Sequence, residues 1–306
     1  MSDWIKEDVR FKSGDGECGA WLYKPEGVKN PPVVVLCHGL GATRERRLDA
    51  YCERFAEAGI AALAFTYRHF GDSSGSPRQL LDIGKQRADI RSALRYARAR
   101  RDLDGTRVAL WGSSFGGGHV MSIGAEDPNL LAVVAQCPFT DGLASGGTLG
   151  PVSTARLGVR AIADAAGSLF GCHPIYGKLS GRPGDPAMMT APDVVAGMKR
   201  LAGDKPFDND VSARAGLAAL TYRPGRRLKD IACPVLVCVC EKDTVAPASP
   251  AIKYVEQSPN ASIKTYPIGH FDIYFDKWFE RAVSDQTAFL QDKLGVVVEP
   301  VAATSA

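Results

Sequence analysis

The sequence predicts an α/β protein built on a mostly parallel central sheet flanked by helices, with an N-terminal antiparallel hairpin and an inserted helical cap. Three observations carry this reading. Segments such as Pro31–Cys37 and Pro234–Cys240 are continuously apolar, as strands covered on both faces must be. Such runs alternate with helical stretches, the signature of right-handed β-α-β crossovers. After Pro138 the alternation stops for about ninety residues, too long for a structureless loop inside a compact domain.

Taken in order, Ile5–Ser13 and Glu17–Lys24 are extended runs joined by Gly14-Asp15-Gly16, a hairpin at a sheet edge. The strand from Pro31 ends at His38-Gly39. Leu48–Ala58 reads as a helix, Ile60–Tyr67 as a strand and Gln79–Arg100 as a long amphipathic helix. Val108–Gly112 is a strand, a helix leaves from Phe115, and Leu130–Cys137 is the next strand. Residues 140–231 form the expected cap, with helical runs at Ser153–Leu169, Pro192–Leu201 and Val211–Tyr222. Gly177–Pro186 and Arg223–Arg227 supply its joints. The core, residues 1–139 and 232–306, resumes with strands at Pro234–Cys240 and Ser262–Ile268 and closes with a helix over Phe275–Leu294. Glu299–Ala306 reads as a loose tail.

Composition excludes several classes. With 306 residues, 45% apolar and 23% charged, the chain has the profile of a soluble globular protein. Its net charge of +3 is the small difference between 37 basic and 34 acidic side chains. The arginines from Arg91 to Arg101 recur at helical spacing, a solvated helix face rather than a nucleic-acid footprint. Cys37, Cys137, Cys238 and Cys240 lie inside apolar strands, where cysteine behaves as a small hydrophobe. The Cys238-x-Cys240 pair lacks the second Cys/His pair a zinc site needs, so no metal is expected. The N-terminus has no apolar signal region and no stretch is long enough to span a bilayer, which points to a reduced cytoplasmic setting without membrane contact. Oligomeric state is not legible.

The strongest local signal is Gly112-Ser113-Ser114-Phe115-Gly116, a G-x-S-x-G run between a buried strand and a helix. A nucleophile on so tight a turn needs neighbours without bulk, and a helix beginning beneath Ser114 aims its N–H groups at a developing oxyanion. Serine needs a base held by an acid. Of five histidines, His270 alone follows the last strand and precedes the closing helix, at the carboxyl edge where α/β sheets build their sites. His38 and His69 end early strands, His119 sits in the helix after the serine, and His173 lies in the cap. Asp243, which has left the preceding strand, is the expected acid, with Glu241 as the alternative. The oxyanion donors would be the N–H groups of Phe115 and of Leu40, in the small-residue turn His38-Gly39-Leu40-Gly41. His38 would then orient that turn.

Together these residues resemble the α/β-hydrolase superfamily, whose triad order matches Ser114, Asp243, His270. The segment Tyr67-Arg-His-Phe-Gly-Asp-Ser-Ser-Gly75 is similar to the family's loop after its fourth strand. Gly269-His-Phe-Asp-Ile-Tyr274 and the hairpin resemble the serine esterase branch allied to dienelactone hydrolases and X-prolyl peptidases. The resemblance covers nearly the whole chain except the cap. It implies an enzyme cleaving a carboxylic ester or thioester of a small molecule through an acyl-enzyme, with no cofactor. Serine at the nucleophile position argues against the dehalogenase and epoxide-hydrolase branches, which carry aspartate there, and against dienelactone hydrolases proper, which typically carry cysteine. A carbon–carbon bond hydrolase, an amidase or peptidase, and a non-catalytic ligand-binding descendant are the competing expectations. Phe139, Leu149, Met188 and Met189 are candidate pocket residues, although ordinary core filling is the better reading of the two methionines.

Overall fold

The computed structural model describes residues 3–296. β1 (Trp4–Ser13) and β2 (Gly16–Pro25) form the antiparallel hairpin, in register from Trp4↔Pro25 to Ser13↔Gly16. β3 (Val33–Cys37), α1 (Leu48–Glu57), β4 (Ala61–Phe65), α2 (Ile83–Ala99), β5 (Val108–Ser113), α3 (Phe115–Gly124) and β6 (Ala132–Gln136) follow as alternating units. The chain then builds α4 (Gly142–Gly146), α5 (Pro151–Ser168), β7 (Tyr176–Ser180), β8 (Ala187–Met189), α6 (Val194–Ala202), β9 (Asp210–Ser212) and α7 (Ala215–Thr221). β10 (Val235–Cys240), α8 (Ala248–Glu256), β11 (Ala261–Tyr266) and α9 (Asp276–Leu294) complete it. The eight-stranded sheet runs β1-β2-β4-β3-β5-β6-β10-β11, parallel from β4 to β11.

Continuous apolarity has a direct cause here. Successive side chains of one strand point to opposite faces. Val33, Val35 and Leu110 join the layer that packs on α2 and α3 through Ile90, Leu94 and Val120. Val34, Leu36 and Trp111 join the opposite layer, against Tyr51 and Phe55 of α1 and Phe279 and Val283 of α9. The helical arginines are held in ion pairs: Arg87 and Arg91 with Glu126, Arg98 with Asp127, and Arg100 with Glu7 and Asp102.

Two expectations need correction and one needs an addition. Besides its helices, the segment 140–231 carries strands, because β7 pairs with β8 and β9 in a separate three-stranded sheet. These strands have five residues or fewer, too short to show a period of two. The Asn209 side chain, which accepts from Ser180 N–H and donates to Ser180 O, helps to hold two of them together. Consequently Val211 and Ser212 are strand, and the helix expected from Val211 begins at Ala215. The helix expected from Gln79 begins at Ile83. Gln79 has φ 56°, and Asp82 accepts Lys85 N–H at 2.8 Å as its cap. α8, with Ser249-Pro250 inside its first turn, has no counterpart in the sequence reading. The tail expected at Glu299–Ala306 lies outside the described residues.

Candidate active site

Ser114 stands between β5 and α3 at φ 56°, ψ −118°, a costly conformation for a residue with a side chain. Its surroundings fix it. Ser114 N–H donates to Gln136 O at 2.9 Å, and Ser114 O accepts from Phe139 N–H at 2.9 Å and Gly118 N–H at 3.2 Å. The flanking glycines are steric necessities. A Cβ on Gly112 would lie 2.4 Å from Gly116 O, and one on Gly116 would lie 2.5 Å from the carbonyl oxygens of Cys37 and His38. Below the turn, Ser113 Oγ meets Tyr274 OH at 2.5 Å and accepts from Gln136 Nε2 at 3.1 Å. That polar network continues to Tyr51, Gln286 and Trp111.

The three residues expected to share one chemistry are in contact. His270 Nε2 lies 3.0 Å from Ser114 Oγ, and His270 Nδ1 lies 2.6 Å from Asp243 Oδ2. The histidine and aspartate side chains are 3% and 1% exposed. Asp243 Oδ1 is occupied by Val245 N–H at 2.8 Å and Ala246 N–H at 2.7 Å, which turns Oδ2 toward the imidazole. Glu241, the alternative acid, is exposed. Burial disfavours the imidazolium, but the Asp243 charge and its hydrogen bond outweigh it and push His270 up to about 9. The geometry suits a neutral imidazole with Nδ1–H donating to the carboxylate and Nε2 accepting the serine proton.

The Gly39 turn lies against the nucleophile, since a Cβ there would sit 3.2 Å from Ser114 Cβ. The N–H groups of Leu40 and Phe115 have no protein acceptor among the described residues. His38 is buried, with Nδ1 3.0 Å from Gly39 O and Nε2 accepting Tyr67 N–H at 3.3 Å. Burial lowers it to about 4, so it is a neutral brace of the turn. His119 is fixed between Tyr222 OH and Gln86, His69 reaches Pro77 O, and His173 is exposed.

A cavity of about 150 Å³ opens beside Ser114, between α3, α4, α5, α7 and the β8 region. Phe139, Leu149, Met188 and Met189 all line it, and no charged side chain does. Met189 also packs with Val194, Met198 and Phe271, so lining and core filling are combined in one side chain. A smaller cavity of about 50 Å³ lies on the His270 side, bounded by His38, Leu40, Phe271 and Tyr274. Sequence reasoning missed Asp193, whose carboxylate accepts Thr244 Oγ1 at 2.7 Å and ties α6 to the loop bearing Asp243. Fifty-one residues separate the pair, and nothing local signals it.

The Hydrolase_4 family model, described as serine aminopeptidase S33, matches residues 29–277. The chain is an α/β hydrolase of this family. The hydrolase is 45% identical to the quorum-quenching protein AidA of Acinetobacter baumannii (strain MDR-ZJ06), over 93% of this chain and 94% of that one. It is 25% identical to the thiohydrolase aneE of Aspergillus aculeatus, over 94% and 93%. Among solved structures, the α/β hydrolase GrgF from Penicillium matches with a TM-score of 0.82 at 22% identity, over 95% of this hydrolase and 99% of GrgF. At that identity the likeness shows the shared fold.

Proposed function

We propose that this hydrolase cleaves a carboxylic ester or thioester of a small substrate through an acyl-enzyme, with Ser114 as nucleophile, His270 as base and Asp243 as its orienting acid. The observation that carries the proposal is the unbroken chain Ser114 Oγ to His270 Nε2 at 3.0 Å and His270 Nδ1 to Asp243 Oδ2 at 2.6 Å. Ser114 attacks the carbonyl carbon as His270 takes its proton. The tetrahedral oxyanion receives the N–H groups of Phe115 and Leu40. His270 then returns the proton to the leaving oxygen or sulfur, and water resolves the acyl-enzyme by the same path.

The uncharged cavity beside Ser114 favours a neutral, largely apolar acyl group, and the smaller cavity beside His270 suits the leaving group. An engineered cavity of roughly 150 Å³ holds benzene, so the preferred acyl group has about six carbons. The relatives named quorum-quenching protein and thiohydrolase are consistent with acyl substrates. Relatives named polyketide transferase and acyltransferase give a specific reason to weigh a second reading, in which an acceptor other than water takes the acyl group. Residues 140–231 act in this proposal as the cap that closes the acyl cavity over the core. All eight cysteines are unpaired, in keeping with the proposed cytoplasmic setting. Among the described residues no helix is long and apolar enough to cross a membrane.

The test is fluorophosphonate labelling of wild type and Ser114→Ala, followed by turnover of p-nitrophenyl esters of increasing chain length. Wild type labels and turns over while Ser114→Ala does neither. Labelling without turnover would redirect the reading to amide, carbon–carbon or transfer chemistry. A wild type that does not label would remove the nucleophile assignment.

A further inference from the structure

α5 is buried against the fold on one side and carries an uncovered apolar stripe on the other. Its inner face buries Ser153, Leu157, Ala161 and Asp164. The Asp164 carboxylate accepts Ile175 N–H at 2.9 Å and Arg214 N–H at 2.8 Å, so the helix is held firmly against β7 and α7. The outer face presents Val152, Ala155, Val159, Ile162, Ala166 and Leu169, all exposed. Their spacing alternates three and four residues. That is the 3.5-residue period of a seam made for another helix, with the buried Leu157 and Asp164 at the position opposite the seam. Val152 is 52% exposed, Val159 71%, Ile162 62% and Leu169 83%, and Phe170 at the helix end is 85% exposed.

From this we infer that α5 is the contact surface of a homodimer, packing antiparallel on α5 of a second copy across a two-fold axis. The seam is self-complementary. Its side chains run large, small, large, large, small, large, so reversing the helix reproduces the pattern. Antiparallel pairing sets 152 against 169, 155 against 166 and 159 against 162. Each alanine then faces an alanine, letting the backbones approach, and each larger side chain faces another. An isologous contact demands this property of a single surface. Arg156 is drawn off the seam by donating to Gly184 O at 2.9 Å, and the register sets Arg160 against Ala161 rather than against another arginine.

The area is sufficient. The five large side chains expose roughly 600–700 Å² per copy, close to the ~800 Å² each partner contributes to a standard interface. A lipid surface fits less well. A helix lying in a bilayer interface uses a broad face of bulky side chains rimmed by lysines and arginines, whereas this stripe is narrow, holds two alanines, and has basic residues, Arg156 and Arg160, along one flank only.

Sedimentation of the full chain at increasing concentration tests the inference. Wild type reaches twice the monomer mass, while Ile162→Glu and Val159→Ser remain monomeric and keep ester turnover, since neither residue lines the cavity or the triad. Register is read by oxidative cross-linking in a Cys172→Ser background, which removes the exposed native thiol. Copies carrying Val159→Cys cross-link to copies carrying Ile162→Cys. Val152→Cys does not cross-link to itself, because its counterpart lies about 25 Å along the helix. A wild type that stays monomeric throughout, or a dimer indifferent to Ile162→Glu, would overturn the inference. So would flotation of a monomer with phosphatidylcholine–phosphatidylglycerol vesicles that Ile162→Glu abolishes.

Discussion

Gly158 is the eighth residue of the 18-residue α5, where glycine weakens a helix by about 0.5–1 kcal/mol relative to alanine. Four glycines line the cavity beside Ser114, and two of them have evident packing reasons. A Cβ on Gly142 would come 2.0 Å from Ala219 O, and one on Gly146 would come 2.9 Å from Leu220 Cδ1. A Cβ on Gly216 would make ordinary contact at 3.4 Å with Leu157. A Cβ on Gly158 would meet nothing within 4 Å, so the space in front of it belongs to the cavity. Gly158→Ala is therefore expected to stabilise the protein by about 0.5–1 kcal/mol, raising Tm by about 2 °C. Gly158→Leu is expected to fill much of the cavity and expel about three methylenes of a bound acyl chain. At about 0.8 kcal/mol per methylene the loss is roughly 2.4 kcal/mol, or about 60-fold in kcat/KM for a hexanoyl ester, with acetyl ester turnover retained. A p-nitrophenyl ester series with calorimetry on the same variants provides the assay. A chain-length profile unchanged in Gly158→Leu would refute the reasoning, because the acyl group would then lie elsewhere. A lower Tm for Gly158→Ala would refute its steric premise.

Ester kcat/KM should rise with pH through the His270 transition, which Asp243 pushes up to about 9, because only the neutral imidazole accepts the serine proton. Asp243→Asn should lower that transition and cut kcat by about 10⁴-fold, as read from pH–rate profiles. The same pairing should stabilise the fold fully below about pH 6.5, the unfolded value. That stabilisation is lost as pH rises through the folded value, a slope in denaturant unfolding that Asp243→Asn should remove. Gly116→Ala should cost about 3 kcal/mol or more in chemical denaturation, because its Cβ would meet two backbone oxygens at 2.5 Å and neither can yield. Tyr274→Phe should cost about 1–3 kcal/mol by leaving Ser113 Oγ without its 2.5 Å partner in a buried site. Fluorophosphonate labelling of that variant should survive.

What was legible in the sequence was whatever a local rule dictates. Gly112-Ser113-Ser114-Phe115-Gly116 announces itself because a positive-φ serine beneath two close backbone approaches tolerates few alternatives. The parallel strands announce themselves because burial on both faces forbids alternation. His270 and Asp243 could be placed because each follows a strand at the carboxyl edge, and chain order then brings them to Ser114. Illegible were the parts set by tertiary pairing alone: the three-stranded sheet of β7, β8 and β9, the Asp193–Thr244 tie, and the anchoring of Ser113 by Tyr274 and Gln136. In each case the partners are far apart in sequence and neither partner's type is unusual for its neighbourhood.

The exposure of the outer α5 seam was not legible, because an apolar stripe on a helix ordinarily marks the covered face, whereas here the covered face is the one with Ser153 and Asp164. This bears on how the two halves of the molecule are specified. Around Ser114, close contacts and a continuous hydrogen-bond network leave almost no freedom in geometry, as a reaction centre requires. In α5 the constraint is looser. Gly158 leaves space toward the cavity, and the adjoining outer face leaves apolar surface uncovered. One helix therefore lines the cavity beside Ser114 and bears the proposed dimer contact. If that contact forms, fixing α5 from outside would also hold the cavity wall at Gly158, so the monomeric Ile162→Glu variant should discriminate less sharply between acyl lengths than wild type.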